Sequence, residues 1–105
     1  MKLKDGLVLR KVAGQFIIVP TGKRVQEITN IVYISSSAAY LWDYMKDHEF
    51  TVEKLIDLIM EHYTGVTRDV AEKDVNSFIG VLKNNHILAG EFEEISGYVR
   101  IKVKP

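Results

Sequence analysis

The sequence predicts an α+β domain in which three antiparallel strands are followed by a three-helix bundle, with a further hairpin at the C-terminal end. Three observations carry this. Up to residue 34, apolar residues alternate with polar ones or run in short β-branched blocks. From residue 36 the spacing changes to i, i+3, i+4, i+7, the period of a helix with one buried face. After residue 90 the alternation returns in "YVRIKV". With 105 residues, 47% of them hydrophobic, one core is affordable and one main domain is expected.

The elements follow in order. "GLVLRKVAGQFIIVPTG" reads as two strands joined by a turn at Ala13 and Gly14. Leu7, Leu9 and Lys11 alternate with Val8, Arg10 and Val12, so one face is more apolar than the other. "QFIIVP" is a short strand-type run closed by Pro20 and Gly22. "KRVQEITN" is a polar connector with two buriable residues, Val25 and Ile28. "IVYI" is rich in β-branched and aromatic residues and reads as the third strand.

"ISSSAAYLWDYM" then joins strand to helix. Ser36 or Ser37 is placed to accept from the free amides of the first helical turn. Ala38, Leu41, Trp42 and Met45 fall on one face of the first helix. "DHEF" ends it. Thr51 suits the N-cap of the second helix, with Glu53 favourable in its positive first turn. Leu55, Ile56, Ile59 and Met60 form its buried stripe, reaching toward Tyr63, and Gly65 is placed to stop it. Thr67 or Asp69 opens the third helix, with Ala71, Val75, Phe78 and Leu82 as its core stripe. In "EFEEISGYVRIKVKP", Ser96 and Gly97 make a turn, and Val99, Ile101 and Val103 alternate with Arg100, Lys102 and Lys104. The expected division is a domain over residues 1–90 and a hairpin tail over 91–105.

Composition narrows the function. Lys plus Arg number 14 and Asp plus Glu number 14, giving zero formal charge. A duplex-binding domain normally carries a basic excess, because its affinity comes from phosphate neutralisation. Cysteine is absent, which removes disulfides, thiolate metal sites and a cysteine nucleophile. No apolar run has the length of a signal-peptide core or a membrane span, so a cytoplasmic protein without membrane contact is expected.

No catalytic constellation emerges. His48, His62 and His86 lie in separate segments at no metal-ligand spacing, and a zinc site needs three or four ligands. Ser35, Ser36 and Ser37 lack the G-x-S-x-G setting of a nucleophile elbow, and helix capping accounts for them. Glu91, Glu93 and Glu94 read as a solvated strand face. "PTGKR" lacks the preceding glycine of a phosphate loop. No catalytic residue, metal or cofactor is expected. What the pattern does offer is an edge. If the third strand ends the sheet, its unpaired backbone groups can accept an extended peptide as a further strand.

The sequence resembles the PqqD-like family, the RiPP recognition elements named after coenzyme PQQ synthesis protein D. "YISSSAAYLWDYM" matches a pattern of apolar strand, small residue pair and apolar helix start, with Ile34 in the leucine position, Ala38 and Ala39 as the pair, and Leu41 and Trp42 following. "TVEKLIDLIMEHY" has the family's next helix. "DVNSFIGVLKNNHIL" is similar to its Asp-Val-x-x-Phe-Leu helix through Asp74, Val75, Phe78 and Ile79. The likeness runs from about residue 6 to 89. Ser35 stands where Asn is usual, His86 stands near a place where Gly is common, and the tail lies outside the pattern.

The resemblance implies a small winged-helix-like domain without catalytic activity. Such domains hold the leader of a ribosomally made precursor peptide as an added strand and present it to a modifying enzyme, often a radical-SAM protein. Carried onto this chain, the implied peptide-binding residues are Ile31, Val32, Tyr33, Ile34 and Ser35 on the strand. On the last helix they are Val70, Asp74, Ser77 and Val81. A winged-helix nucleic-acid binder is the alternative. Its reading helix would carry Arg68, Lys73 and Lys83, but also Asp69, Glu72 and Asp74, which repel phosphate. The tail is expected to cover an edge of its own sheet or to pair with a second copy in a homodimer.

Overall fold

In the computed structural model, described over residues 1–28 and 30–89, the chain runs β1 (Leu7–Val12), β2 (Gln15–Pro20), α1 (Arg24–Glu27), β3 (Val32–Ile34), α2 (Ser36–Met45), α3 (Val52–His62) and α4 (Arg68–Asn84). The hairpin expected at 91–105 lies outside the described residues. The three strands form one antiparallel sheet in the order β1-β2-β3. Ala13 and Gly14, at φ 52 and 80, make the two-residue turn between β1 and β2. Positive φ at both positions gives the turn whose twist matches that of the flanking strands. Leu9, Ile18 and Val32 lie side by side across the sheet. Ile18 and Val32 are buried and Leu9 packs against the core, so this is the inner face.

The connector before β3 is more structured than its polar sequence suggests. It contains α1, a single turn that leaves Val25 54% exposed while burying Ile28. Arg24 fastens this turn to the residues preceding β1. Its Nε donates to the Asp5 carbonyl (3.0 Å), and its Nη2 and Nη1 donate to the Asp5 and Glu27 carboxylates (2.8 Å each). The hydrogen bond from Arg24 holds the Asp5 carboxyl below its ordinary pKa. Any stability from this contact is therefore present above pH 3.8 and is lost as the pH falls through the lowered value. Asp5 is exposed, so the contribution is small. Gly6, at φ 74, is required here: a Cβ on it would lie 2.9 Å from the Cγ of Arg24.

The helices bury the residues that their period marked. Ala38, Leu41, Trp42 and Met45 of α2, Leu55, Ile56 and Ile59 of α3, and Ala71, Val75, Phe78 and Leu82 of α4 share one core, joined by Ile79. Met60 is the exception. It lies one residue past Ile59, a turn of about 100° that carries it off the buried stripe, and it is 37% exposed. The cap of α2 also differs from expectation. Ser35, still extended at ψ 169, accepts from the Ala38 amide at 3.2 Å, and Ser36 and Ser37 are already helical. Thr51 and Thr67 cap α3 and α4 in the same manner. α3 ends at His62 with Tyr63 extended as its C-cap, and Gly65 serves the turn that follows.

At the end of α4 the Ile87 amide donates to the Leu82 carbonyl and the His86 amide to the Lys83 carbonyl. This is the double bond pattern of a Schellman motif, completed by burial of both Leu82 and Ile87. His86 occupies the left-handed position at φ 60, where the absent Cβ of glycine removes the strain. His86→Gly is therefore expected to raise stability by up to about 1 kcal/mol, the left-handed penalty of roughly 1–2 kcal/mol less the entropic cost of glycine, read as an increased melting temperature. Beyond the motif, Leu3 bridges Leu88, Lys4 donates to the Ile87 carbonyl, and Ala89 donates to the Lys2 carbonyl. The last described residues are thus stitched to the first.

Candidate functional site: the open edge of β3 and the flank of α4

β3 is an edge strand of the described sheet, paired with β2 on one side through Phe16↔Ile34, Ile17↔Tyr33 and Ile18↔Val32. In an antiparallel pair, successive residues alternately bond the neighbour and point their backbone groups away from it. Among the described residues nothing pairs with the outer side of β3, which leaves its donors and acceptors open to an arriving chain. The strand is three residues long, shorter than the five expected. Ile31 precedes it and is 69% exposed, and Ser35 turns away to cap α2. Within the strand Val32 is buried, Tyr33 is 58% exposed and Ile34 is half-buried against the core.

A hollow of about 530 Å³ opens at the end of β3, lined by Gly14, Gln15, Phe16, Tyr33, Ile34, Ser35 and Ser36. It brings three of the expected residues together. Its contributions from the β1–β2 turn were missed by sequence reasoning. The signal existed: a turn at Ala13 and Gly14 starts β2 at Gln15, and pairing then sets Phe16 opposite Ile34. The Lys11 ammonium lies 5.4 Å from the centre of the Phe16 ring, so this side of the sheet combines an aromatic surface with a cation.

On α4, Val70, Asp74, Ser77 and Val81 follow the spacing i, i+4, i+7, i+11 and share one flank beside the buried stripe. Val70, Asp74 and Ser77 are exposed, while Val81 is half-buried against the core. Ser77 lines a second hollow of about 570 Å³ with Asp69, Glu72, Lys73 and Asn76. The strand residues and Ser77 thus line different hollows.

Cations at the start of α4 are committed elsewhere. Arg68 forms an ion pair with Glu53 of α3, with Asp57 a further 3.8 Å partner. The hydrogen bond that its guanidinium donates to the Glu53 carboxylate raises its pKa. The histidines have local packing roles. The His48 ring stacks on Tyr44 and the His62 ring on Tyr40, at centroid distances of 4.2 and 3.8 Å. His86 sits in the turn after α4. Among the described residues no group of three His, Asp or Glu side chains could hold a metal ion. No described helix is long and apolar enough to cross a membrane.

The model of the family described as Coenzyme PQQ synthesis protein D (PqqD) matches residues 18–88, from the centre of β2 to the bridge at Leu88. No curated protein matches the sequence significantly. Among solved structures, the fold is similar to that of TbiB1 in complex with the TbiA(beta) leader peptide. The TM-score is 0.62 at 19% identity, over 95% of this chain and 100% of that one.

Proposed function

The chain belongs to the PqqD family, and from that premise we propose that it is a non-catalytic adaptor that holds the leader of a ribosomally made precursor peptide and presents it to a modifying enzyme. The observation that carries this reading is the open edge of β3 inside the family match, with an apolar and polar hollow at its end. The similar fold of TbiB1, described with a leader peptide bound, supports it. The leader adds as a strand along residues 31–35, with backbone bonds giving affinity and side chains giving selectivity. Val70, Asp74, Ser77 and Val81 form the helical wall against which it lies. The modifying enzyme is of the radical-SAM class. No observation favours nucleic acid, and the pairing of Arg68 with α3 carboxylates removes a cation that such a reading needs.

A disordered leader loses conformational entropy on binding, so a sub-micromolar to micromolar constant is expected, on the order of −8 kcal/mol. Titration calorimetry with the leader of a short precursor peptide, sought among the genes flanking that of this chain, tests the reading; no heat and no saturation at about 100 μM would refute it. Asp74 is exposed and belongs to no ion pair among the described residues. Asp74→Lys should weaken a leader with basic residues by about 3- to 10-fold, through a loss of roughly 1 kcal/mol. The melting temperature should stay nearly unchanged, and a large drop would place Asp74 in a structural network instead.

A further inference from the structure

The inner face of the sheet is accounted for by the core, and among the described residues the outer face is not. Strand residues alternate between faces. With Leu9, Ile18 and Val32 turned inward, Val8, Arg10, Val12, Gln15, Ile17, Val19 and Tyr33 turn outward. A three-stranded sheet with one face in water normally makes that face polar. Here five of these seven side chains are apolar, Arg10 and Gln15 being the exceptions, and Val8, Val12 and Tyr33 rank among the exposed large hydrophobic residues. Arg10 stands in their midst, directly opposite Ile17. It has no ion-pair partner among the described residues.

We propose that this outer face of the sheet is the docking surface for the modifying enzyme, whose complementary patch is apolar with a carboxylate placed to meet Arg10. Three features select that occupant. The first is charge: a lone arginine within an apolar patch is complemented by an acidic residue, whereas a second copy of the same face would set arginine near arginine. The second is size. Two strands some 20 Å long and a third some 10 Å long, about 4.8 Å apart, present roughly 240 Å², well below the ~800 Å² per partner of a stable interface. That suits a transient hand-over and not a permanent dimer. The third is continuity. A leader added beside β3 would extend the sheet and turn every second side chain onto this same face, next to Tyr33. The enzyme would then read adaptor and leader as one surface. The docking contact does not compete with the leader, because the face and the edge are separate.

This inference rests on the adaptor reading only for the partner's identity, and the test keeps the two apart. A peptide-modifying enzyme, sought among the genes flanking that of this chain and purified, is titrated against the full chain without leader, by interferometry at about 50 and 300 mM salt. The wild type is expected to bind, more weakly at high salt. Val12→Glu should weaken binding at least 10-fold. Arg10→Ala should weaken it several-fold and flatten the salt dependence. The double variant Val8→Thr with Val12→Thr, which keeps β-branched side chains, should also weaken it and covers the case in which the glutamate disturbs β1. All variants should bind the leader as the wild type does. If the wild type shows no leader binding but the enzyme titrations follow this pattern, the docking surface stands and the leader reading falls. Enzyme binding that is absent in the wild type, or equal in every variant, overturns the proposal. So does a dimer of the wild-type chain in light scattering that Val12→Glu converts to a monomer, because the face would then belong to a second copy.

Discussion

Trp42→Ala lowers the unfolding free energy by about 3–5 kcal/mol, and Phe78→Ala does the same. Both side chains are almost fully buried, Trp42 on α2 and Phe78 on α4, in the one cluster that also receives Ile18 and Val32 from the sheet. Truncating either leaves a cavity that three helices and a sheet, already packed against one another, close only in part. A domain of this size has a stability of roughly 5–15 kcal/mol, so either change takes a large share of it. Denaturant unfolding at constant slope is the measurement. Variants that remain folded with midpoints close to the wild type would mean that the helix faces are assigned wrongly.

Proline in β3 separates binding from folding. Val32 and Tyr33 are successive residues, so their amides point to opposite sides of the strand. One donates toward β2 and the other toward the open edge. Proline at the inward position removes a ladder bond and destabilises the sheet. At the outward position the ladder is untouched, while an arriving peptide loses one bond and meets the pyrrolidine ring. A combined loss of about 2 kcal/mol corresponds to roughly 30-fold in leader affinity. Of Val32→Pro and Tyr33→Pro, the variant with the smaller change in melting temperature is expected to show this loss by calorimetry. Unchanged leader affinity in both variants would exclude strand addition at this edge.

The sequence by itself determined the order and type of the main elements, because each carried its own period and its own end signal. Alternation in residues 7–12, the short strand-type run at 15–20, a cap residue before each long helix, and stripes such as Ala71, Val75, Phe78 and Leu82 are local facts, and local physics reads them. The resemblance to a family was legible for the same reason: its motifs lie on those stripes and on the strand-to-helix join at Ser35. α1 was not legible, since its four residues have no stripe and are held by Arg24 reaching back to Asp5, a contact across 19 positions of chain. Nor was the choice of Ser35 over Ser36 and Ser37 as cap. Three adjacent serines offer the same chemistry, and the register of β3 against β2 decides where the extended backbone ends. Only the tertiary structure joined Phe16 and Gln15 to the hollow beside Ser35. It alone showed that the sheet's outer face is apolar around Arg10, because alternation reveals two faces but which of them meets the helices is settled by packing.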